Sequence, residues 1–379
     1  MRVAFYAPLK PPTHGTPSGD RRVAGLFMDA LGQAGQRVEL VSTFRSFDSH
    51  GDAERQGALR TQGEDLARTL AAQWRAAPTA ERPDLWFTYH LYYKAPDWLG
   101  PVVSAELGIP YVIAEASYAP KRAEGPWAIG HEASVAAIRQ AALILSPSRD
   151  DIGCLKELVP ASRIRHLAPF LDLGPFRAAV AARGRHRERL AAAHRLDAAA
   201  PWIAVVAMMR EGDKLASYHV LAATLGLLRD LPWRLVVVGD GPARDEVHRA
   251  LERAAPGRTC FLGALKTRDV AHVFAACDLS VWPGVNEAYG MALLEAQAAG
   301  LPVVSCALRG VPDVVQDGRT GLLAPLLNEA ALAERVRLLL VDSARRQALG
   351  RDAAAYVAAE RSLETAAQKI GAALAGLGR

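Results

Sequence analysis

Two glutamates, Glu287 and Glu295, flank a predicted helix start. The stretch from Leu279 to Ser305 reads as strand, loop, helix, glycine cap and strand, with Gly290 opening the helix and Gly300 closing it. Gly290 permits a tight backbone approach, and Gly300 suits the position just past a helix end. The first amides of a helix have no intrahelical acceptor, so the N–H groups around Ala288, Tyr289, Gly290 and Met291 make a ready anion site. A carboxylate beside an anion site serves hydroxyls rather than the anion. Charge-assisted hydrogen bonds to sugar OH groups are the chemistry these two acids can supply. Taken alone, the pair also reads as two solvated helix acids with ordinary caps; the strand–loop–helix frame favours the site.

The elements that must hold such a site follow from patterning. The chain has 379 residues and a mass of 40.6 kDa, which suggests two domains at roughly 150 residues each. Hydrophobic residues make up 50% and charged residues 22%, which excludes global disorder. Short apolar runs alternate with longer helical patterns: Val3–Ala7, Arg37–Ser42, Leu85–Tyr89, Tyr111–Ala114 and Leu143–Ser146 read as strands. The pattern then restarts with Trp202–Met209, Arg234–Val238, Cys260–Leu262, Leu279–Trp282 and Pro302–Ser305. Strand–helix alternation of this kind predicts parallel βαβ units. Two Rossmann-like, doubly wound α/β domains facing a cleft are expected, at residues 1–175 and 176–357. In such sheets ligands bind outside the carboxyl ends of the strands. Arg177–His194, charged and with little apolar periodicity, reads as a surface helix.

The net charge is +5 with a pI near 9.1, and only seven of the 45 basic residues are Lys. This Arg-for-Lys bias matches a GC-rich coding sequence, so each Lys inside a motif carries extra weight. The basic balance also permits peripheral contact with an anionic membrane. Apolar runs such as Trp202–Met209 are too short to span a bilayer, and the first residues contain no signal-peptide core. A cytoplasmic protein able to rest on the inner membrane face is expected. The four cysteines, at 154, 260, 277 and 306, fit no metal or CxxC spacing and are expected to be reduced.

The segment from Glu287 to Val303 resembles the signature of the retaining glycosyltransferases of family 4, which have the GT-B fold. That signature is a Glu, seven residues and a second Glu, with Gly before the helix and Gly-x-Pro-Val after it. Glu287, Glu295, Gly290 and Gly300-Leu301-Pro302-Val303 match it, and Arg309 to Leu323 resembles the family's following stretch. The resemblance implies that Glu287 binds donor-sugar hydroxyls and Glu295 the nucleotide ribose. It implies that the amides of Ala288, Tyr289 and Gly290 help hold sugar and diphosphate. Arg210 and Lys214, in Met208-Met209-Arg210-Glu211-Gly212-Asp213-Lys214, match the cations that neutralise the departing diphosphate. Their spacing is one residue shorter than usual, and Met209 replaces a common Gly. Val238-Gly239-Asp240-Gly241-Pro242 matches a turn passing close to the nucleotide, and it also reads as a plain tight turn. In the first half, Pro17-Ser18-Gly19-Asp20-Arg21-Arg22 matches the family's glycine-rich loop, with Gly19 in the matching place. Arg21 and Arg22 read either as phosphate ligands or as solvated first-turn residues. His90, at a strand end, matches a donor-sugar contact or is structural, and Glu115 is a second polar strand-end residue. By fold analogy, residues 358–379 form a helix crossing back to the first domain.

The resemblance implies a nucleotide-sugar donor (UDP- or GDP-sugar), no other cofactor and no metal. The partner is a glycan or lipid-linked acceptor, with a role in cell-envelope or exopolysaccharide synthesis. The competing readings fit less well. A nucleotide-sugar epimerase would share the architecture. A dinucleotide-dependent oxidoreductase predicts Gly-x-Gly-x-x-Gly after the first strand, and residues 8–19 do not supply it. A nucleic-acid-binding module predicts clustered Arg, whereas here Arg is spread along the chain.

Overall fold

The computed structural model describes residues 1–16, 18–325 and 328–377. The chain forms two compact units, one of Met1–Ala168 with the chain from Leu363 onward, and one of Pro169–Ser362. The sequence reading places these borders at 175 and 357, and the final two residues of its C-terminal segment lie outside the described residues.

In the first unit, six strands run β1 (Arg2–Tyr6), β2 (Arg37–Leu40), β3 (Leu85–Leu91), β4 (Tyr111–Ala116), β5 (Leu143–Ser146) and β6 (Ile164–His166). All pair in parallel, in the order β2-β1-β3-β4-β5-β6. In the second unit they run β7 (Trp202–Val206), β8 (Arg234–Val238), β9 (Thr259–Phe261), β10 (Leu279–Trp282), β11 (Val303–Cys306) and β12 (Gly321–Ala324). These are also parallel, in the order β12-β11-β10-β7-β8-β9. The near-continuous apolar runs follow from burial on both faces: β4, β5, β10, β11 and β12 are buried throughout. Each sheet reverses its direction of growth once, between β1 and β3 and between β7 and β10. At such a reversal the flanking helices lie on opposite faces and leave a crevice at the carboxyl ends.

The edge strands β6 and β12 went unread in the sequence, being only three and four residues long. The chain from Leu363 folds as the helix Leu363–Ala375 against the helix Gly19–Gln33 of the first unit. All four cysteines are unbridged.

The charged stretch after residue 174 is two helices, Gly174–Ala181 and Arg183–His194, rather than one. The second buries no residue, so an apolar stripe does not hold it. Arg187 does. Its guanidinium donates to the carbonyls of Ala198, Ala200 and Ala276 and to Asp278 at 2.8–3.2 Å, and lies 4.2 Å from the Trp202 ring centroid. Asp278 in turn accepts from the Trp202 amide at 2.8 Å, which ties the helix to the starts of β7 and β10. The expected outcome of Arg187→Ala is a fall in melting temperature of roughly 5 °C, because several half-buried acceptors lose their donor together. Arg187→Lys recovers little, since an ammonium cannot reproduce the fork. A calorimetric shift under about 1 °C for Arg187→Ala would contradict this anchoring role.

Candidate active site

The second unit's residues of interest converge at the β7/β10 reversal. After β7 the chain reaches Met209, which is buried, then Arg210, which is exposed. Gly212, at φ 78°, opens the helix Asp213–Gly226. Lys214 lies in the first turn of this helix. A cation there opposes the helix dipole, so it needs a compensating partner. Glu287, from the loop after β10, provides one: Lys214 Nζ donates to Glu287 Oε2 at 2.5 Å. The same oxygen accepts from Trp282 Nε1 at 3.1 Å, and Lys214 Nζ stands 5.5 Å from the Trp282 ring. Both side chains of the pair are 17% exposed.

A second line of bonds joins the same loops. Asn286 Nδ2 donates to Asp213 Oδ2 at 2.8 Å, and Arg309 Nη1 donates to Asn286 Oδ1 at 2.5 Å. Ser217 Oγ accepts from the Val285 amide at 2.9 Å and donates to the Asp213 carbonyl at 2.7 Å. These partners were not singled out in the sequence, because side-chain bonds between distant loops leave no local pattern.

The helix Met291–Ala298 begins as expected. Gly290 caps it in the left-handed region at φ 71°, and its carbonyl accepts from the Leu293 amide. Ala288 is exposed and Tyr289 and Met291 are half-buried. Among the described residues the N–H groups of Ala288 and Gly290 have no acceptor. Gly310 presses against this loop: a side chain there would collide with the Ala288 carbonyl. Glu295 is only 5% exposed, so it is not a solvated helix acid.

Gly239 and Gly241 have a structural reason that the sequence did not reveal. At φ 147° and 149°, any side chain on them would collide with the carbonyls of Ala207 and Met209. Backbone bonds from Met209 N–H to the Asp240 carbonyl and from Ala243 N–H to the Met209 carbonyl lock the two loops together. The glycine turn thus fixes the segment that ends in Arg210. The Arg210 side chain has no ion pair or hydrogen bond among the described residues. No three His, Cys, Asp or Glu side chains converge as metal ligands among them either.

The first unit carries its own cluster at the β1/β3 reversal. Tyr89 pairs with Ala114 and Leu91 with Ala116, so His90 and Glu115 stand opposite each other. Both are left-handed, at φ 61° and 63°. The two kinks lie inside the strands rather than after them, and they turn both side chains to one place. His90 Nδ1 lies 3.1 Å from Asp20 Oδ1 and 3.7 Å from Glu115 Oε1. Burial disfavours a charge on His90, but Glu115 and the Asp20 bond outweigh it and push its pKa up to about 9. Burial likewise opposes a charge on Asp20, yet the His90 bond holds its carboxyl below the ordinary value.

Asp20 and Gly19 open the helix Gly19–Gln33, which Ser18 caps through the Arg21 amide at 3.2 Å. A side chain at Gly19 would meet no protein atom within 4 Å, so nothing in the protein's own packing requires glycine there. Arg21 is tied back to the Pro12 carbonyl at 3.0 Å. Pro17 of this motif lies outside the described residues.

Residues 200–342 match the family model described as glycosyl transferases group 1. That match lies wholly within the second unit, which is therefore similar to the group 1 glycosyltransferases. Among similar proteins, an alpha-D-kanosaminyltransferase of Streptomyces kanamyceticus is 29% identical over 250 residues, 64% of this chain and 61% of that protein. A D-inositol 3-phosphate glycosyltransferase of Stackebrandtia nassauensis is 36% identical over 146 residues, 37% of this chain and 33% of that protein. The chain thus spans less than two thirds of the length of these curated relatives. The solved structure of Anabaena Alr3699/HepE with UDP superposes with a TM-score of 0.74 at 18% identity over 100% of both chains. WaaG, described as involved in lipopolysaccharide biosynthesis, superposes at 0.66 and 18% identity over 97% of this chain and 98% of that one. The fold of the chain is GT-B.

The histidine cluster has a defined pH dependence. Its folded pKa lies above the free value of 6.5, so its stabilisation is complete below about pH 6.5 and is lost as pH rises through about 9. An NMR titration is expected to place the His90 midpoint near 9 and to move it down in Asp20→Asn. A wild-type midpoint at 6.5 would contradict the cluster.

Proposed function

We propose that the protein is a retaining, family 4 glycosyltransferase that moves a sugar from a nucleoside-diphosphate sugar to a glycan or lipid-linked acceptor. The observation that supports this most is the Lys214–Glu287 pair at the β7/β10 reversal, beside the exposed Arg210 and the amides that open the helix at Gly290. The residues supply what donor chemistry needs. As the anomeric carbon–phosphate bond breaks, negative charge grows on the leaving diphosphate, and Arg210, Lys214 and the loop amides stand ready to stabilise it. Fixed donors of this kind are each worth about 10²–10³ in kcat.

In the proposed step the acceptor oxygen forms its bond on the face the diphosphate leaves. The acceptor proton passes to the departing phosphate oxygen, so no protein base is required. Glu287 accepts hydrogen bonds from sugar hydroxyls, and Glu295 does the same for the ribose. Lys214 is positioned to shift from Glu287 toward the diphosphate when donor enters. Arg210 needs no partner exchange. His90 contacts the donor sugar, and Gly19 leaves room for ligand close to the first helix. Metal-independent transfer is part of the proposal, with the two cations in the role a divalent ion plays elsewhere.

Alr3699/HepE was solved with UDP, with UDP-glucose, and with UDP and glucose, which supports a nucleotide-sugar donor here. A GDP-mannose-dependent mannosyltransferase of Mycobacterium tuberculosis, 28% identical over 226 residues, keeps GDP equally in view. An envelope role and a peripheral membrane site belong to the same proposal; among the described residues no helix is long and apolar enough to cross a membrane.

With chelator present, UDP or GDP is expected to raise the melting temperature. In Glu295→Ala the nucleotide is expected to bind about tenfold more weakly, as lost charge-assisted bonds to ribose imply. Undiminished nucleotide affinity in Glu295→Ala would refute the ribose assignment.

A further inference from the structure

A line of aromatic rings leads away from His90 in the first unit. His90 and Tyr92 lie 5.1 Å apart, Tyr92 and Tyr93 5.5 Å, and Tyr93 and Trp127 5.7 Å. His90 is the penultimate residue of β3; Tyr92, Tyr93 and Trp127 belong to the loops that follow β3 and β4, at the carboxyl edge of the sheet, and are half-buried. Two cations flank the far end. Lys94 Nζ is 4.6 Å from the Trp127 ring centroid, and Arg122 Cζ is 5.2 Å from it and 5.3 Å from that of Tyr93.

Neither cation has a carboxylate partner among the described residues. Arg122 Nε is shielded from solvent and has no hydrogen-bond acceptor. An unsatisfied shielded guanidinium nitrogen is costly, and two like charges on one indole repel. The neighbouring carboxylate cannot answer them. Asp48 is close, since its amide donates to the Lys94 carbonyl and its carbonyl accepts from Trp127 Nε1. Its carboxylate is already taken by the amides of His50, Gly51 and Asp52 and by Gln56 Nε2. Glu124, in the same loop, is exposed and pairs with neither cation.

The frame around the cations is built. Gln56 also accepts from the Gly130 amide and donates to the Pro126 carbonyl. A side chain at Gly130 would collide with the Tyr93 carbonyl. Ring faces suit the apolar faces of a sugar, and paired cations suit an anionic substituent.

We propose that Tyr92, Tyr93, Trp127, Lys94 and Arg122 form an acceptor subsite for an anionic sugar, one bearing a phosphate or carboxylate on its ring. The inference rests on the glycosyltransferase reading and names the acceptor class for it. Lys94 and Arg122 bind the anionic group, and the rings bind the sugar beside it.

Ligand-observed NMR on the full chain, saturated with UDP, tests this with glucose 6-phosphate, glucuronate, glucose and inorganic phosphate as probes. Glucose 6-phosphate or glucuronate is expected to bind at least tenfold more tightly than glucose. That preference is expected to be lost in Lys94→Gln and in Arg122→Gln. Two variants guard against misfolding of either one, and an unchanged UDP thermal shift shows that each is folded. Retained preference in both variants, equal binding of glucose, or no binding of either anionic sugar would overturn the subsite. Phosphate binding as tightly as glucose 6-phosphate would overturn it too, by reducing it to a free-anion site. A wild-type chain that binds the anionic sugars but not UDP would instead count against the donor reading alone.

Discussion

Lys214 and Glu287 lie 73 residues apart in sequence and 2.5 Å apart in the folded chain. Most of what is specific in the second unit serves to allow that meeting. The β7/β10 pairing brings the two loops side by side, and Gly212 turns the chain so that Lys214 falls in the first turn of its helix. In that position the helix dipole works against the ammonium, and only the carboxylate makes the placement tolerable. A half-buried pair gives little net stability and loses much when one member is removed. Its contribution is positional: it holds a cation beside loop amides that have no acceptor of their own among the described residues. In the proposed reaction an incoming diphosphate takes over the ammonium, and sugar hydroxyls take over the carboxylate.

Backbone strain is placed with the same economy. Among the described residues, five other than glycine have positive φ: His90, Glu115, Asn286, Arg309 and Arg195. Arg195 ends a helix. The other four stand at or just beyond carboxyl ends of β3, β4, β10 and β11. Left-handed geometry costs such residues of order 1–2 kcal/mol each. In both units that cost aims polar side chains at one another, His90 toward Glu115 and Asn286 toward Arg309. Parallel strands alternate their side chains between faces, and these kinks are how the fold departs from that rule at the strand ends.

The alternation of apolar runs and helices made the two parallel sheets legible, because buried parallel strands are apolar on both faces. The edge strands β6 and β12 were too short to show. The Glu287/Glu295 frame was legible because the glycines at 290 and 300 bracket one helix. Lys214 was harder to place: its spacing from Arg210 departs from the family pattern, and only the contact with Glu287 fixes it in the site. Gly239 and Gly241 looked like ligand-side glycines, yet the carbonyls of Ala207 and Met209 explain them. The left-handed turns at His90 and Glu115 had no usable signal, since positive φ is uncommon for any residue but glycine, even for histidine, which is enriched there. Arg187 was hidden in a charged helix whose anchoring is polar rather than periodic.

The central claim is that Lys214, held by Glu287, belongs to a nucleoside-diphosphate site. Calorimetric titration of UDP and GDP, with chelator, into the wild-type chain and into Lys214→Met tests it most directly, because methionine keeps most of the side chain's length and removes the ammonium. The account predicts that one of the two nucleotides binds the wild type and binds Lys214→Met at least about tenfold more weakly, as loss of a charge-assisted contact to phosphate implies. Equal affinity in the two proteins, or no binding of either nucleotide to the wild type, would contradict it.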